Sequence, residues 1–437
     1  MIKRISAGVL PFVLLGVQSV YGETFSLNQT YSIALQKNEE VQIAREGIRQ
    51  SEEEKQRAFS AVMPKVTLSG TYNRYPEKSR DLGNSTVILQ PEHSYGIEVT
   101  LEQPLYAGGK GAAGIRIAKR GIEVAKKNHD LSIESMLFHV AEVYYGRLEA
   151  QKSLESQQRN VERLQEHRRL SELRYKVGEV TQSVLLRAQA ELARAQADRV
   201  ALENDAAVKK RELDILSGLP DDAEISEPSV PKIPGETGSG LLTAALDSRE
   251  DVHRSRLQEE IAKEGVVFAR GNFLPSLSLD GTYFSRNQDP RSTFFIDQGW
   301  VIGAKLEFPV FEGGLRRAEM AQARSRLESG RLETARLKKR VDLEVTQASL
   351  NLEAATRVLQ SREEQVRFAD ENYEMVSKQF TFGSSTHIDL LDANQTLIEA
   401  ERDVIGATYT RHLAILNLQR KIGIFLSGVL EETQKNM

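Results

Sequence analysis

Residues 103–111 read QPLYAGGKG, and residues 308–316 read FPVFEGGLR. Each stretch places a proline four residues before a pair of glycines, at the point where an alternating pattern changes to a helical one. The match continues without a gap to Gly218 and Gly423, at a constant offset of 205 positions. Self-similarity of this length predicts an internal duplication, in which two copies of one unit follow each other along the chain.

The similarity between the two copies also extends upstream of the two prolines. Residues 64–72 align with residues 275–283 at an offset of 211, so the copies differ by six positions before the junction. Because the flanking pattern stays in register, we place this insertion in a surface loop between two paired strands. Each copy therefore reads helix, strand, loop, strand, very long helix, tight turn and long helix.

Four strands are expected, two in each copy, at about 64–76, 93–103, 275–286 and 299–308. Each alternates apolar and polar residues, as a strand with two different faces does. Aromatic residues cluster near the strand ends, as in the girdles of membrane β-barrels. They are Tyr72, Tyr75, Tyr95, Tyr283, Phe294, Phe295 and Trp300. The alternative is an ordinary soluble hairpin that packs one face on the rest of the protein.

Four strands are too few to close a barrel by themselves. The smallest membrane barrels have ~8 strands, and an open sheet edge is not tolerated in lipid. A barrel must then be shared between chains, with eight, twelve or sixteen strands from two, three or four copies. The strand count alone does not choose among these.

Long helices are expected at about 110–176, 181–217, 315–381 and 386–422. The longer two have ~65 residues and extend ~98 Å. From Val341 to Phe380, apolar residues recur in steps of four and three, interrupted only by Arg362, so this helix is expected to supercoil against a neighbour. Charged residues run along all four helices, which must therefore lie in water as a tube or stalk.

The remaining segments complete the predicted organisation. Residues 1–22 have the charged, apolar and small-residue regions of a signal peptide. Repeat 1 covers 23–218, with a helical segment from Leu27 to Val62, and repeat 2 covers 241–423. Residues 219–240, rich in Pro, Gly, Ser and acids, form a linker, and we expect the tail 424–437 to fray.

Composition excludes several function classes. The formal net charge of −4 becomes −6 when Lys3 and Arg4 leave with the signal peptide, so no broad basic surface exists for nucleic acid. The absence of Cys excludes disulfides and thiol catalysis, and the seven His residues show no metal-ligand spacing. No cofactor is expected. The glycines at 108–111 lack the spacing of a phosphate loop and instead favour a turn into a helix.

Taken together, these residues resemble the TolC-like outer-membrane efflux protein family. The resemblance rests on the signal peptide, the duplicated order of elements, the two junctions quoted above and the turns with Tyr or Phe three residues before a glycine. It implies a mostly helical fold in which three chains share a twelve-stranded outer-membrane barrel. Their long helices would form a coiled α-barrel across the periplasm, with a belt from the inter-repeat and C-terminal segments around its middle.

The resemblance also implies site residues. The turns between the long helices would form the periplasmic tip and contact an adaptor protein. These residues are Tyr175, Val177, Gly178 and Thr181 in the first copy and Phe380, Phe382, Gly383 and Thr386 in the second. Family members carry a pore-lining carboxylate pair six and nine residues after the glycine of the second turn. In this chain that glycine is Gly383, and the two positions are Asp389 and Asp392.

Asp389 has a second explanation, and the first copy lacks both carboxylates. Residues 386–389 also form a capping box, which explains an acid at Asp389 without any pore. The first copy has Val184 and Arg187 at the matching positions. We hypothesise that Arg187 pairs with Asp392 across neighbouring hairpins and holds the pore closed. His387 is interpreted as a solvated residue of the tip.

The sequence thus predicts a homotrimeric exit duct in the outer membrane that extends into the periplasm. It would passively conduct substrates delivered by an inner-membrane pump through a periplasmic adaptor, in efflux or type I secretion, and would not be an enzyme. The alternative is a soluble periplasmic coiled-coil scaffold or adaptor. A scaffold would remain soluble without detergent, whereas a barrel with an apolar face would not.

Overall fold

The fold is mostly helical, with one four-stranded sheet at one end. The computed structural model describes residues 24–76, 78–81, 86–235, 239–291 and 295–435. The predicted signal peptide at 1–22 and the aromatic residue Phe294 lie outside these residues.

The strands follow the predicted hairpins, with short additions between and around them. They are β1 (Thr24–Phe25), β2 (Lys65–Arg74), β3 (Lys78–Asp81), β4 (Thr86–Gln90), β5 (His93–Ala107), β6 (Glu224–Ile225), β7 (Ser276–Asp289) and β8 (Gln298–Glu307).

Helices account for most of the chain. They are α1 (Leu27–Lys37), α2 (Glu39–Ser60), α3 (Lys110–Lys176), α4 (Gln182–Ser217), α5 (Ser239–Ser248), α6 (Glu250–Gly271), α7 (Leu315–Thr381), α8 (His387–Ile422) and α9 (Phe425–Lys435). Both α3 and α7 have 67 residues, and both α4 and α8 have 36. At 1.5 Å per residue the longer pair extends ~100 Å.

Paired glycines begin each of the two longest helices. Gly109 and Gly314 occupy the N-cap positions with φ of 82° and 91°, in the left-handed region that side chains with a Cβ disfavour. The glycine before the first of them, Gly108, also packs closely on the backbone of Gly271. These glycines let the chain turn from a strand into a helix at both junctions.

The main sheet has the order β2–β5–β7–β8, and all its pairs are antiparallel. The central pair joins β5 of the first half to β7 of the second half. The strands β2 and β8 are the two edges. The sheet is therefore open at both sides within one chain.

The helices extend the same order away from the sheet. Near the sheet, neighbouring helices pack in the order α2–α3–α6–α7. Farther away, α4 and α8 replace the shorter helices, and the order becomes α4–α3–α8–α7. Around the middle, α1, α5 and α9 pack against the long helices, and β1 pairs in parallel with β6. The largest apolar core lies here and includes Tyr31, Tyr144, Tyr145 and Phe425.

Two expectations about the connecting segments were wrong. The predicted single helix from Leu27 to Val62 is broken at Asn38, whose side chain accepts a hydrogen bond from the backbone N–H of Glu40 and caps α2. The tail does not fray, because α9 buries Phe425 against Tyr31 and Phe138. The predicted loop between β2 and β5 contains the small hairpin β3–β4.

The inter-repeat segment is also more ordered than a plain linker. Glu224 and Ile225 pair with Thr24 and Phe25. The hydroxyl of Tyr144 on α3 donates to the carbonyl oxygens of Phe25 and Ser226, at 3.0 and 2.6 Å. These bonds tie the segment to the long helix, and α5 begins before the predicted boundary at residue 241.

Candidate functional site: a two-faced sheet and the helix-hairpin ends

One face of the main sheet is apolar in all four strands. At one level the register aligns Val66, Leu101, Gly281 and Ile302 across the sheet. The next level aligns Leu68, Val99, Tyr283 and Trp300. On β7 the apolar residues of this face extend from Leu277 to Tyr283, a distance of roughly 20 Å along the strand at ~3.4 Å per residue. This length is of the same order as the ~25 Å apolar band of membrane barrels.

Aromatic side chains border this face. Tyr72 faces Tyr95 across the β2–β5 pair, and Tyr283 faces Trp300 across β7–β8. All four are exposed in the single chain, and Trp300 is 72% exposed. Side chains with an apolar ring and a polar tip are typical of the boundary between lipid and water.

The opposite face of the sheet is polar. Lys65, Glu102 and Asp280 share one row, and the neighbouring row contains Thr67, Thr100 and Thr282, with Val301 on the edge strand. A sheet that is apolar on one face and charged on the other separates lipid from water. In a closed barrel, these polar rows would face the interior.

The predicted apolar seam of α7 is the face that packs on the rest of the chain. Val341, Val345, Ala348 and Leu352 are buried near the middle of the molecule, and Ala369 and Phe380 are buried farther along. Arg362, which interrupts the apolar pattern, forms an ion pair with Asp403 on α8 at 2.8 Å. The heptad therefore fixes the pairing of α7 with α8.

A second, polar seam on α3 faces α8. Asn160 accepts a hydrogen bond from Asn394 at 2.8 Å, and Arg163 donates to Asn394 at 3.1 Å. Arg163 also forms an ion pair with Glu401 at 3.3 Å. These contacts join the α3–α4 hairpin to the α7–α8 hairpin within one chain.

The hairpin ends are two similar turns. Gly178 and Gly383 follow α3 and α7 with φ of 81° and 78°. Val177 and Phe382, one residue earlier in each turn, are 70% and 85% exposed. Tyr175, Thr181 and Thr386 are exposed as well. The turns thus present two large apolar side chains to solvent.

Phe380 is a correction to the predicted tip set. It is 3% exposed and packs beside His167, with the guanidinium of Arg174 4.5 Å from its ring centre. Because α7 turns this residue towards α3, it is not available to a partner in this arrangement. Its counterpart in the first copy, Tyr175, is exposed.

The capping interpretation of Asp389 is confirmed. Its carboxylate accepts hydrogen bonds from the backbone N–H and the hydroxyl of Thr386, at 2.9 and 2.7 Å, and its own N–H donates to that hydroxyl at 3.2 Å. These bonds lower the pKa of Asp389, whereas crowded carboxylates would raise it. Thr181 at the start of α4 makes no such side-chain cap.

Asp392 and Arg187 line one cleft between α8 and α4, whose floor is formed by α3. The cleft has a volume of about 260 Å³. Both side chains are described, and no nitrogen of Arg187 lies within 4.0 Å of a carboxylate oxygen of Asp392. The structure brings the two residues to the same cleft without a direct ion pair.

His387 is a second correction, because it is buried rather than solvated. It is 7% exposed, and its ring stacks on that of His167 with centroids 4.6 Å apart. His167 was not among the residues predicted from the sequence, although the sequence carries a signal for it. Residues 157, 160, 164, 167, 171 and 174 follow steps of three and four along α3, as a seam facing another helix does. Among the described residues, no cluster of three or more His, Asp or Glu side chains could hold a metal ion.

In the described part of the chain, no single helix is long and apolar enough to cross a membrane. Only α8 and α9 together, bent by 108° at their break, reach that length and composition.

The two-faced sheet and the ~100 Å helices that leave it define the class of the protein, an outer-membrane efflux channel. The model of the outer membrane efflux protein family matches residues 30–219 and 241–423. The chain belongs to this family, as the TolC-like resemblance predicted. It resides in the outer membrane and extends into the periplasm, and it is not an enzyme.

Individual relatives are distant but span most of the chain. The outer membrane protein TolC of Vibrio cholerae is 22% identical over 375 residues, which cover 83% of each chain. The outer membrane efflux protein BepC of Brucella suis is 23% identical over 404 residues, covering 90% of this chain and 85% of that protein. The crystal structure of the Campylobacter jejuni CmeC outer membrane channel superposes with a TM-score of 0.78 at 18% identity, covering 100% of this chain and 98% of that one.

Proposed function

We propose that three copies of the chain close head to tail into one continuous duct. The observation that carries this proposal is that every layer of the chain is open at both sides. The sheet ends in β2 and β8, the helices near it end in α2 and α7, and the helices at the far end finish in α4 and α7. In each layer, one open edge belongs to the first half and the other to the second half. Different edges that meet in this way form a ring when the rotation closes.

Exposed apolar side chains support the same contact between α4 and α7. On α4 they are Leu186, Val200, Val208 and Ile215, and on α7 they are Met375, Val358, Leu350 and Leu343. Measured in residues from the hairpin turns, the members of the two sets lie at matching heights to within about one helical turn. A stripe on each open edge, at the same heights, suits the packing of α4 against α7 of the next copy.

The number of copies comes from the family resemblance. Three copies give twelve strands, with the apolar rows facing lipid and the polar rows facing the interior. The helices continue the wall as a coiled α-barrel of twelve helices in each layer. The constant offset in sequence and the equal lengths of α3 and α7, and of α4 and α8, support an internal duplication as the origin of this repeating wall.

As a function we propose the exit duct of a tripartite efflux or type I secretion system. The duct would conduct passively, with the energy supplied by an inner-membrane pump. The exposed turns around Val177 and Phe382 would meet a periplasmic adaptor, which links the duct to an inner-membrane pump. Asp392, with Arg187 in the same cleft, is proposed to line the narrow end of the pore. Asp389 contributes mainly by capping α8.

A soluble periplasmic scaffold is disfavoured by the apolar face of the sheet. No described element covers Val66, Ile302 or Trp300, which are 66%, 68% and 72% exposed. A soluble protein rarely leaves so large an apolar surface open to water. Lipid is the covering that fits it.

Cross-linking tests the ring directly, since the chain contains no cysteine. Val208→Cys and Leu350→Cys would be introduced separately and together, and treated with a short bifunctional maleimide. A head-to-tail ring predicts covalent products only for the double variant, in a ladder that ends at three chains. Products from a single-site variant would indicate a symmetric pair of identical surfaces and overturn the ring. Small conductance steps in a planar bilayer would then establish the duct, and the lack of any steps would overturn it.

A further inference from the structure

The contact between His167 and His387 joins the two helix hairpins near their free ends. His167 lies on α3, nine residues before the last residue of the helix, and His387 is the first residue of α8. The rings are nearly parallel, with an interplanar angle of 20°. Phe380 of α7 lies beside both rings, 5.3 Å from His167 and 6.4 Å from His387 between centroids. One aromatic cluster thus holds three of the four long helices together.

All four ring nitrogens of the pair are buried and have no hydrogen-bond partner. A neutral imidazole buried without partners loses only its hydrogen bonds to water, whereas a buried imidazolium also loses the hydration of its charge, which costs much more free energy. The other five His residues, all in the described part of the chain, do not form such a pair.

We propose that the stacked rings of His167 and His387 form a pH-sensitive catch, which holds the two hairpins together while both rings are neutral and releases them when either ring takes up a proton. The inference rests on the proposed function only in placing this junction at the end of a duct. The contact itself lies within one chain.

The charges around the pair oppose protonation. Arg174 on α3 and Arg187 on α4 are positive, and Glu191 on α4 is the one acid that favours a charged ring. From α7 the pair meets the uncharged ring of Phe380, and on α8 the carboxylate of Asp389 is directed to Thr386. As the first residue of α8, His387 also lies at the positive end of the helix dipole. Protonation of either ring therefore creates an unfavourable buried charge. Separation of the hairpins and entry of water would remove this cost.

The direction of the pH effect follows from these surroundings. Burial, then the neighbouring His387 and Arg174, lower the pKa of His167 from 6.5 to about 4. Burial and then Arg187 lower the pKa of His387 as well. The packed state binds fewer protons than the separated state, so the catch is at full strength above pH 6.5 and weakens as the pH falls towards 4. For His167 alone, the ratio of separated to packed hairpins should rise ~30-fold at pH 5.

Spin labels on the two exposed turns test the catch without requiring a conducting pore. Val177→Cys and Phe382→Cys would carry nitroxides in the purified full-length mature protein, and their separation would be measured by pulsed electron resonance from pH 7.5 to 4.5. The catch predicts longer and broader distances below pH 6.5. In His167→Phe/His387→Phe, which keeps two aromatic rings but cannot take up a proton, the distances should not change with pH.

His139→Gln is the matched control, because His139 also lies on α3 but is exposed and bonded to Glu142 of the same helix. This variant should respond to pH as the parent does. An unchanged distance in the parent down to pH 4.5, or an equal response in the double variant, would overturn the catch. Should the double variant fold poorly, His167→Phe alone must at least halve the response. Conductance recorded in parallel keeps the two proposals apart, since a pH-dependent distance without any conductance supports the catch and contradicts the duct.

Discussion

Arg174 at the end of α3 donates hydrogen bonds to the backbone carbonyl oxygens of Phe380 and Thr381 at the end of α7, at 2.7 and 2.9 Å. Its guanidinium also stacks on the ring of Phe380. The last carbonyl groups of a helix have no partner within the helix, and a guanidinium both satisfies them and complements the negative end of the helix dipole. This contact therefore clasps the ends of the two long helices.

Removal of these donors in Arg174→Met should loosen the hairpin ends. Hydrogen bonds from a charged group contribute ~1.5–3 kcal/mol, so the population with separated hairpins should rise ~10-fold or more. In a planar bilayer we expect a higher mean conductance. Arg169→Met is the control, because Arg169 pairs with Glu166 on its own helix and should leave conductance unchanged. Equal conductance of Arg174→Met and the parent would contradict the clasp.

Removal of the side-chain cap at Thr386 should destabilise the first turn of α8. Thr386→Val removes the hydroxyl that accepts from Asp389, and the loss of such a cap costs ~1 kcal/mol. Amide hydrogen exchange of the first turn of α8 should accelerate ~5-fold. Thr181→Val should have no comparable effect on α4, since Thr181 makes no side-chain cap. Similar acceleration at both sites would show that the hydroxyl contributes nothing specific to α8.

The same cap should depend on pH. Hydrogen bonds from Thr386 lower the pKa of Asp389 below its ordinary value of 3.8. The stabilisation is therefore complete above pH 3.8 and is lost as the pH falls through the lowered value. The extra protection from exchange that the parent has over Thr386→Val at the start of α8 should therefore be constant above pH 3.8 and should disappear as the pH falls below it.

Substitutions at Asp392 and Asp389 should have different effects, the first on cation selectivity and the second on capping of α8. Asp392→Asn removes a charge from the cleft that it shares with Arg187 but leaves the cap intact, so we expect weaker cation selectivity with unchanged exchange at the start of α8. Asp389→Asn should accelerate that exchange. Reversal potentials in a salt gradient give the selectivity. If Asp392→Asn left the reversal potential unchanged, Asp392 would not face the conducting path.

The sequence predicted the parts of the fold that repeat along the chain. The glycines and prolines define the ends of the long helices, and the heptad from Val341 to Phe380 predicts which face of α7 is buried. Contacts between segments without a shared period were missed. Nothing near Tyr144 indicates that its hydroxyl bonds to Phe25 and Ser226, because those bonds depend on how the N-terminal and inter-repeat segments pack on α3. His167 was missed because a polar seam gives a weak hydrophobic signal, and its partner His387 is 220 positions away.

The buried ion pair of Arg147 and Asp214 should depend on both partners. Their side chains are 5% and 4% exposed, and the guanidinium also donates to the carbonyl oxygen of Ala223 at 2.7 Å. Burial lowers the pKa of Arg147 and raises that of Asp214. Arg147→Met leaves a buried carboxylate without its partner and should destabilise the protein by ~3–5 kcal/mol.

The double variant Arg147→Met/Asp214→Leu should recover much of this loss, because an apolar pair leaves no buried charge. Loss of helical circular dichroism on heating would measure all three proteins. A double variant no more stable than Arg147→Met would indicate that the hydrogen bond to Ala223, rather than the ion pair, provides the stability.

Adjacent residues on β8 offer the sharpest test of which face of the sheet meets lipid. Ile302 is aligned with Gly281 on the apolar face, and Val301 is aligned with Thr282 on the polar face. Both are exposed in the single chain, so neither substitution alters a packed core. Arginine on the lipid face near the bilayer centre costs ~2–4 kcal/mol, whereas arginine facing the interior lies in water. Ile302→Arg should therefore reduce insertion into lipid vesicles strongly. Val301→Arg should insert as the parent does and should lower cation selectivity. Equal insertion of the two variants would mean that the apolar rows do not face lipid.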